Sequence, residues 1–199
     1  MATSEEHICN MALGHVGHTQ FIDDLDSEQS TEAEVCNNYY AQARDFVLEA
    51  FPWPEATKYE TLGLVEEDPN DDWDYSYRYP SDCLFVRRIV SSLGKSDPNP
   101  PPFITASDDT GRLIYTDQEA AVIEYTKGLT DVAQFRPTLV MAISWYLAAL
   151  ICPGLARDKK QADRAMQMYA LTISQAQARA LNEQQQTPEP ESEFIRARE

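Results

Sequence analysis

The stretch Glu28–Trp53, EQSTEAEVCNNYYAQARDFVLEAFPW, carries the longest single period in the chain. Its small and apolar residues recur at steps of three and four positions, the spacing that lines one face of an α-helix. Tyr39, Phe46 and Phe51 widen this stripe, so we expect the helix to be covered on more than one side. The residues of the stripe itself are Ala33, Cys36, Tyr40, Ala43, Val47 and Ala50.

Both ends of this helix have sequence signals. Thr31 and Glu34 have the spacing of a capping box, in which the two side chains bond free backbone N–H groups of the first turn. Pro52 and Pro54 cannot continue a helix, so its end is predicted around Trp53. At about 1.5 Å per residue the helix is on the order of 30 Å long, enough to cross a small domain. The other elements are therefore expected to pack around it.

A shorter helix is predicted upstream, in ATSEEHICNMALGHVGH at residues 2–18. Thr3 and Glu6 form its capping box, and Gly14 and Gly17 lie near its end. Its apolar face consists of Ile8, Met11, Ala12 and Val16.

A metal site is the alternative interpretation of this segment, because four possible ligands lie close together in sequence. They are His7, Cys9, His15 and His18, of which His15 and His18 could share a helical edge. No H-E-x-x-H motif or Cys/His pair spacing accompanies them. We therefore interpret the three histidines as ordinary surface and helix-end residues and predict neither a metal nor another cofactor.

The middle of the chain has strand periods and turn residues. Trp73–Tyr79 alternates aromatic and polar residues, and CLFVRRIV at Cys83–Val90 is typical of a more buried strand. Three short strands are predicted to follow as a meander, the first two joined by SDDTG with Gly111 at positive φ. They are Phe103–Thr105, Arg112–Thr116 and Ala120–Thr126. The acidic stretch Leu62–Asp74 and the proline-rich stretch Leu93–Pro102 are predicted to be loops.

Two further helices are predicted after Asp131. The first has Pro137 in its first turn, is mostly apolar and stops at Cys152-Pro153-Gly154, so it should be central. The second starts at Ala156 and has an apolar stripe made of Ala162, Ala165, Met166, Tyr169, Ile173, Ala176 and Ala180. Its first turns carry cations that oppose the helix dipole, which favours acidic partners elsewhere, for example on a neighbouring subunit. These cations are Arg157, Lys159, Lys160 and Arg164.

The pattern as a whole predicts an α+β protein: an antiparallel bundle of about four helices with a small antiparallel β-sheet insertion and a C-terminal extended tail. The predicted organisation is a helical half at 1–60, a sheet insertion at 61–130, a second helical half at 131–186 and a flexible tail at 187–199. The stretch QQQTPEPESE at 184–193 has the composition of a disordered linker and leads to Phe194, Ile195, Arg196 and Arg198.

Charge and cysteine usage restrict the function. Sixteen basic and thirty-three acidic residues among 199 give a formal net charge of −17, which argues against a surface that grips nucleic acid through its phosphates. The four cysteines lack C-x-x-C spacing and are predicted to be buried free thiols in a reducing compartment. We find no apolar run near 18 residues and no leader pattern, so the chain is expected to be made in the cytoplasm and not to span a membrane.

Catalytic motifs are missing from the sequence. It contains no G-x-x-x-x-G-K-[ST], G-x-G-x-x-G or G-x-S-x-G. Its carboxylates cluster in polar stretches and do not enter apolar surroundings in pairs, as general acid and base catalysis requires. The sequence therefore predicts a protein that is not an enzyme.

Several segments together carry a resemblance to a known family. They are ICNMALGHVG at 8–17, VCNNYYAQARDFVLEAFPW at 35–53 followed by Ala56-Thr57, YSYRYPSDCLFVRRI at 75–89, and the segment from Arg112 through YTKGLTDVAQFRPTLVMAISWYLAALI, which ends at residue 151. In this order they resemble the tail tubular protein A family of short-tailed bacteriophages, the head-to-tail adaptors. The chain departs from the family mainly in the acidic stretch Glu66–Asp74 and in its own tail.

The resemblance implies a structural virion protein at the head-tail junction. Members form a ring, typically a dodecamer, that joins the portal protein to the tail nozzle or tube. DNA passes through the ring without sequence-specific contact during genome retention and ejection. For this chain we further predict that Phe194 and Ile195 anchor on the portal, with Arg196 and Arg198 as charge partners, and that acidic side chains line the channel. An ordinary frayed terminus is the alternative for the tail.

Two other classes of function remain open. A β-rich attachment or carbohydrate-binding tail module would need Trp73, Tyr75, Tyr77 and Tyr79 on the surface. A small metalloenzyme would need the three histidines and Cys9 to converge. Neither alternative accounts for the long helices.

Overall fold

A computed structural model describes residues 4–91, 97, 99–155 and 158–183. The chain is an α+β protein in which an antiparallel helix bundle is interrupted by antiparallel β-structure. In the described residues four α-helices form the bundle: α1 (Glu5–His15), α2 (Thr31–Ala50), α3 (Pro137–Leu155) and α4 (Lys159–Glu183). The tail residues Phe194, Ile195, Arg196 and Arg198, which were predicted to bind a partner, lie outside the described residues.

The two N-terminal helices begin at serines, and the predicted capping boxes are each one residue off. The Ser4 hydroxyl accepts from the backbone N of His7, and the Ser30 hydroxyl accepts from the backbone N of Ala33. A serine oxygen can therefore satisfy the first free N–H groups without the predicted Thr31 cap. The apolar stripe of α2 is confirmed from Ala33 to Val47, because Ala33, Cys36, Tyr40, Ala43 and Val47 are all buried. Its predicted last member Ala50 is exposed, and so are Tyr39 and Phe46, so the expected cover on a second side is wrong at these positions.

Helix α3 is the central helix of the bundle, as predicted. It contacts the other three helices, and Leu139, Ile143, Leu147 and Ile151 are fully buried. It does not stop at Pro153, because a proline in the last turn removes only a bond near the helix end and the helix continues to Leu155.

The same helix corrects the prediction that no apolar run approaches 18 residues. Pro137–Leu155 has 19 residues and is apolar enough to span a membrane by length and composition, while 56% of its most apolar window is buried inside the fold. A core helix of a bundle has the same properties, so length and hydropathy alone do not identify a membrane segment.

The β-structure consists of two antiparallel sheets. One has the order β1-β7-β4, and the other has the order β2-β3-β6-β5. The strands are β1 (Thr57–Thr61), β2 (Leu64–Asn70), β3 (Trp73–Arg78), β4 (Cys83–Val90), β5 (Ile104–Asp108), β6 (Gly111–Thr116) and β7 (Val122–Lys127).

Strands β3 and β4 and the β5–β6 hairpin are confirmed, with Gly111 at φ +144°. The expected meander is wrong at its last step, because β7 leaves β6 and pairs with β1 and β4 in the other sheet. The acidic stretch predicted as a loop is largely strand β2, which is stabilised by pairing with β3 although nearly all of its side chains are exposed.

Each half of the fold has its own apolar core. One core lies within the helices, and the other lies between the two sheets and includes Tyr77, Ile89, Ile123 and Tyr125. All four cysteines are buried and free, as predicted.

The side chain of Arg87 joins the two halves. Its Nε donates to Thr126 Oγ1 at 2.8 Å, and its Nη2 donates to the backbone oxygens of Leu48 at 3.2 Å and Glu49 at 2.9 Å. A cation from β4 thus caps the C-terminus of α2, whose last turn has no basic residue of its own.

Candidate interaction surfaces

An aromatic strip crosses three helices of the bundle. It consists of Phe46 on α2, Tyr146 on α3 and Tyr169 on α4. The Phe46 and Tyr146 rings stack in parallel with centroids 4.5 Å apart, and the Tyr146 and Tyr169 rings are tilted with centroids 5.0 Å apart. Phe46 is 46% exposed, Tyr146 is half-buried and Tyr169 is only 9% exposed. The strip is therefore anchored in the core at Tyr169 and reaches solvent at Phe46.

Other exposed apolar side chains extend the strip along its helices. Tyr39 lies seven residues before Phe46, on the same face of α2, and is 39% exposed. Met166 lies three residues before Tyr169 on α4 and is 43% exposed. Single exposed apolar residues are ordinary, whereas a contiguous set of this kind is typical of a protein–protein contact.

A strongly acidic surface lies on the four-stranded sheet. Strand β2, its turn into β3 and the start of β3 expose Glu66, Glu67, Asp68, Asp71, Asp72 and Asp74. Asp108, Asp109, Asp117 and Glu119, at the ends of β5 and β6, are exposed as well. Of this set, Asp108 has a cationic partner, since its carboxylate receives two bonds of 3.0 Å from Arg78 and those bonds lower its pKa.

A basic surface lies at the start of α4. The side chains of Lys159, Lys160 and Arg164 are exposed, and no ion pair reaches them from the part of the chain that the structure describes. Asp158 Oδ1 accepts from the backbone N of Lys160 at 2.9 Å, so this carboxylate offsets the cations at the helix start. The acidic partners predicted for these cations on another surface or subunit stay a prediction.

A cluster of polar side chains connects β1 and β7 to the turn before β4. Its members are Lys58, Glu60, Asp82 and Tyr125. Lys58 Nζ lies 2.8 Å from Glu60 Oε2 and 3.0 Å from Asp82 Oδ2. The Tyr125 hydroxyl lies 2.8 Å from both carboxylates and donates to one of them at a time. Hydrogen bonds, first of all to Glu60, raise the pKa of Lys58, and burial raises that of Tyr125. Lys58 therefore stays protonated and Tyr125 stays neutral at pH 7. Neither fits a general base at neutral pH, which needs a pKa close to 7.

A cavity of about 550 Å³ opens between the two sheets. Arg78, Arg112 and Cys83 line it. Both arginines already have a partner within the chain, and the Cys83 thiol is held in its neutral form. Arg78 is paired with Asp108, and the Arg112 guanidinium lies 3.8 Å from the centre of the Tyr79 ring. Burial raises the pKa of the Cys83 thiol, which disfavours the reactive thiolate.

The residues of the metal interpretation have separate environments. The His15 ring stacks on Trp145 with centroids 3.4 Å apart, and its Nε2 lies 3.2 Å from Ser144 Oγ. His18 lies 3.5 Å from Glu32, and Cys9 is buried beside Cys36. Among the residues that the structure describes, no three His, Cys, Asp or Glu side chains come together as a metal-binding group.

The four aromatic residues of the attachment-module interpretation do not form an exposed platform. Tyr77 is 2% exposed and Tyr79 is 7% exposed, because both point into the core between the sheets. The Tyr77 hydroxyl donates to the backbone oxygen of Gln118 at 2.9 Å. Trp73 and Tyr75 are half-buried.

No protein-family model and no curated protein matches this chain. The sequence-based resemblance to phage adaptors therefore remains a prediction, and the function is argued from the surfaces described above.

Proposed function

We propose that this chain is a structural subunit of a phage head-to-tail adaptor ring, which joins the portal to the tail and surrounds the path of the DNA. The observation that carries the proposal is the exposed end of the aromatic strip, where Phe46 stacks on Tyr146, together with exposed Tyr39 on α2 and Met166 on α4. Exposed apolar side chains on neighbouring helices are what a second protein surface would bury. In a ring, the neighbouring copy supplies that surface.

The distribution of charge supports contacts between different surfaces of identical copies. Acidic side chains cluster on the four-stranded sheet, and unpaired cations stand at the start of α4. Two copies related by rotation can bring one kind of surface against the other, which is a heterologous contact of the type that closes into rings. The long-range attraction also favours encounter in the correct orientation.

The acidic β2–β3 hairpin is our candidate for the channel lining. Its strand β2 exposes Glu66, Glu67 and Asp68 and its tip exposes Asp71 and Asp72, with no ion pair to any of them among the described residues. Phosphates repel such a surface, so DNA would slide past it without adhering. Lumen-facing residues that prove neutral or basic in an assembled ring would contradict this assignment.

The tail remains a candidate for portal binding. Phe194 and Ile195 are the proposed anchors, and Arg196 and Arg198 are the proposed charge partners. Deleting Phe194–Glu199 should weaken portal binding, and unchanged binding would contradict this part of the proposal. The proposed role requires no catalysis, cofactor or membrane.

The aromatic strip gives the sharpest test of the function. Phe46→Ser should abolish rings formed on the portal protein of the same phage, with the fold kept, because Phe46 is exposed. Phe21→Ser is the matched control, since Phe21 is 60% exposed and lies in the loop before α2. Rings counted by negative-stain electron microscopy should be lost in the first variant and kept in the second. Equal ring formation by both variants would contradict the role of the strip.

A further inference from the structure

An apolar groove lies where the helix bundle meets the three-stranded sheet. We call it the junction groove; it has a volume of about 740 Å³ and is lined by Phe51, Pro54, Tyr59, Gln177, Ala180 and Glu183, among others. The residues come from the end of α2, from β1 and from the last turns of α4. A side chain such as Tyr59, which is 56% exposed, gives the groove an open aromatic wall.

A smaller recess continues the groove and contains a buried carboxylate. The recess has a volume of about 190 Å³ and shares Phe51, Pro54, Ala180 and Glu183 with the groove. Glu55 lines it with a side chain that is only 7% exposed. Its Oε1 accepts from the backbone N of Arg136 at 3.2 Å, whereas its Oε2 is buried without a hydrogen bond, 3.5 Å from Arg136 Nε. A buried carboxylate oxygen without a hydrogen bond is destabilising, and an additional hydrogen-bond donor would stabilise it.

We propose that the junction groove binds the C-terminal segment Phe194–Arg198 of the same chain. Helix α4 ends at Glu183, which itself lines the groove, so the chain that follows starts at the site. Phe194 is eleven residues further on, and a chain segment of that length reaches on the order of 20 Å by random-coil statistics. A short tether of this kind gives an effective concentration in the millimolar range, which favours binding within one chain.

The chemistry of the segment matches that of the groove. Phe194 and Ile195 are the first large apolar residues after α4 and fit an apolar wall built from Phe51, Tyr59 and Ala180. Both charged residues that line the larger part of the groove are carboxylates, Glu124 and Glu183. Glu124 and Glu183 already pair with Arg88 and Arg136, whereas the Glu55 Oε2 has Arg136 nearby but no hydrogen bond. Arg196 or Arg198 can supply that bond, because a guanidinium forms strong charge-assisted bonds to carboxylate oxygens.

The sheet supplies one wall of the groove through a pair of neighbouring strands. Tyr59 of β1 and Glu124 of β7 are directly opposite each other and both line the groove. The groove therefore lies over the face of the three-stranded sheet, with α4 as its other wall.

This contact has a consequence that rests on the proposed function. Phe194 and Ile195 cannot contact the junction groove and the portal at the same time. The segment would therefore leave the groove when the chain joins the portal, and adding portal protein should reduce the contact. The test below uses the free chain alone, so its failure leaves the adaptor role itself untouched.

Disulfide trapping in the full chain tests the contact directly. Tyr59→Cys with Ile195→Cys places one thiol in the groove and one in the segment. Phe21→Cys with Ile195→Cys is the matched control, because Phe21 is equally exposed and precedes the opposite end of α2. Under mild oxidation we expect the first pair to form an intrachain bond at least tenfold faster than the control pair. Trapping is followed by gel mobility and by the mass of the crosslinked peptides.

Three results would overturn the proposal. Equal rates for the two pairs would mean that the segment has no preference for the groove, and no bond in either pair would mean the same. A bond between two chains would assign the groove to the segment of a second copy.

Amide hydrogen exchange provides a measurement that does not depend on the cysteine variants. The double variant Phe194→Ser and Ile195→Ser should speed amide exchange at 57–61 and 177–183 and leave 31–45 unchanged. Identical exchange in the two chains would overturn the proposal even if the cysteine variants fold poorly.

Discussion

Replacing Arg87 by methionine should destabilise the fold far more than replacing its neighbour Arg88. Methionine keeps most of the apolar stem and removes the guanidinium. Arg87 donates three hydrogen bonds, one to Thr126 in the sheet and two to the backbone oxygens of Leu48 and Glu49 at the end of α2. Arg88 instead pairs with Glu124 through a side chain that is 43% exposed.

The size of the difference follows from these contacts. Hydrogen bonds from a charged donor contribute about 1.5–3 kcal/mol each, and water replaces part of that at the exposed oxygen of Glu49. A cation at a helix C-terminus adds about 0.3–1 kcal/mol. We therefore expect Arg87→Met to lower the free energy of unfolding by about 2–4 kcal/mol. Arg88→Met should lower it by less than about 1 kcal/mol, as is usual for exposed ion pairs.

Urea unfolding followed by far-ultraviolet circular dichroism and by tryptophan fluorescence measures both variants. Trp53 and Trp145 report on the helical half and Trp73 reports on the sheets. Because Arg87 joins the two cores, the unfolding curves measured by circular dichroism and by fluorescence should have different midpoints in Arg87→Met. In Arg88→Met the two curves should coincide. A loss of stability in Arg87→Met no larger than that in Arg88→Met would refute the reasoning.

Three further predictions concern the helical core, the sheet core and the charge at low pH. Leu147→Ala should cost about 2–5 kcal/mol, since Leu147 is fully buried in α3, whereas Met141→Ala, at 36% exposure, should cost less than about 1 kcal/mol in the same urea assay. Tyr77→Phe should cost about 1 kcal/mol by removing the hydrogen bond to the partly buried backbone oxygen of Gln118, as measured by the thermal midpoint. Burial lowers the pKa of His15 to about 4, below the ordinary value of about 6.5, so the unfolded chain binds more protons between these values. Stability is complete above pH 6.5 and should fall toward pH 4, and His15→Gln should flatten this part of the pH profile; an unchanged profile would contradict the assignment.

The elements with a clear period were predictable from the sequence. The stripe of α2 and the alternation of β3 each reflect one buried face, and such faces are visible in the order of residues alone. Strand β2 was missed because its exposed side chains carry no alternation, and only its pairing with β3 makes it a strand. The same applies to β7, whose partner depends on packing between sheets and not on the adjacent turn.

The candidate surfaces were harder to predict for a related reason. The aromatic strip combines single residues of α2, α3 and α4, and each of them looks like an ordinary core position within its own helix. The junction groove joins Phe51, Tyr59 and Ala180, which are far apart in sequence. The role of Arg87 could not be predicted, because the sequence of a strand does not show which helix end its cation will contact. The acidic surface was predictable from composition alone.

Sedimentation of the purified chain, alone and mixed with the portal protein of the same phage, tests the central claim most directly. The account predicts a small species alone and a large complex with the portal, which negative-stain images should show as a ring. A chain that keeps its sedimentation coefficient when the portal is present would contradict the adaptor role.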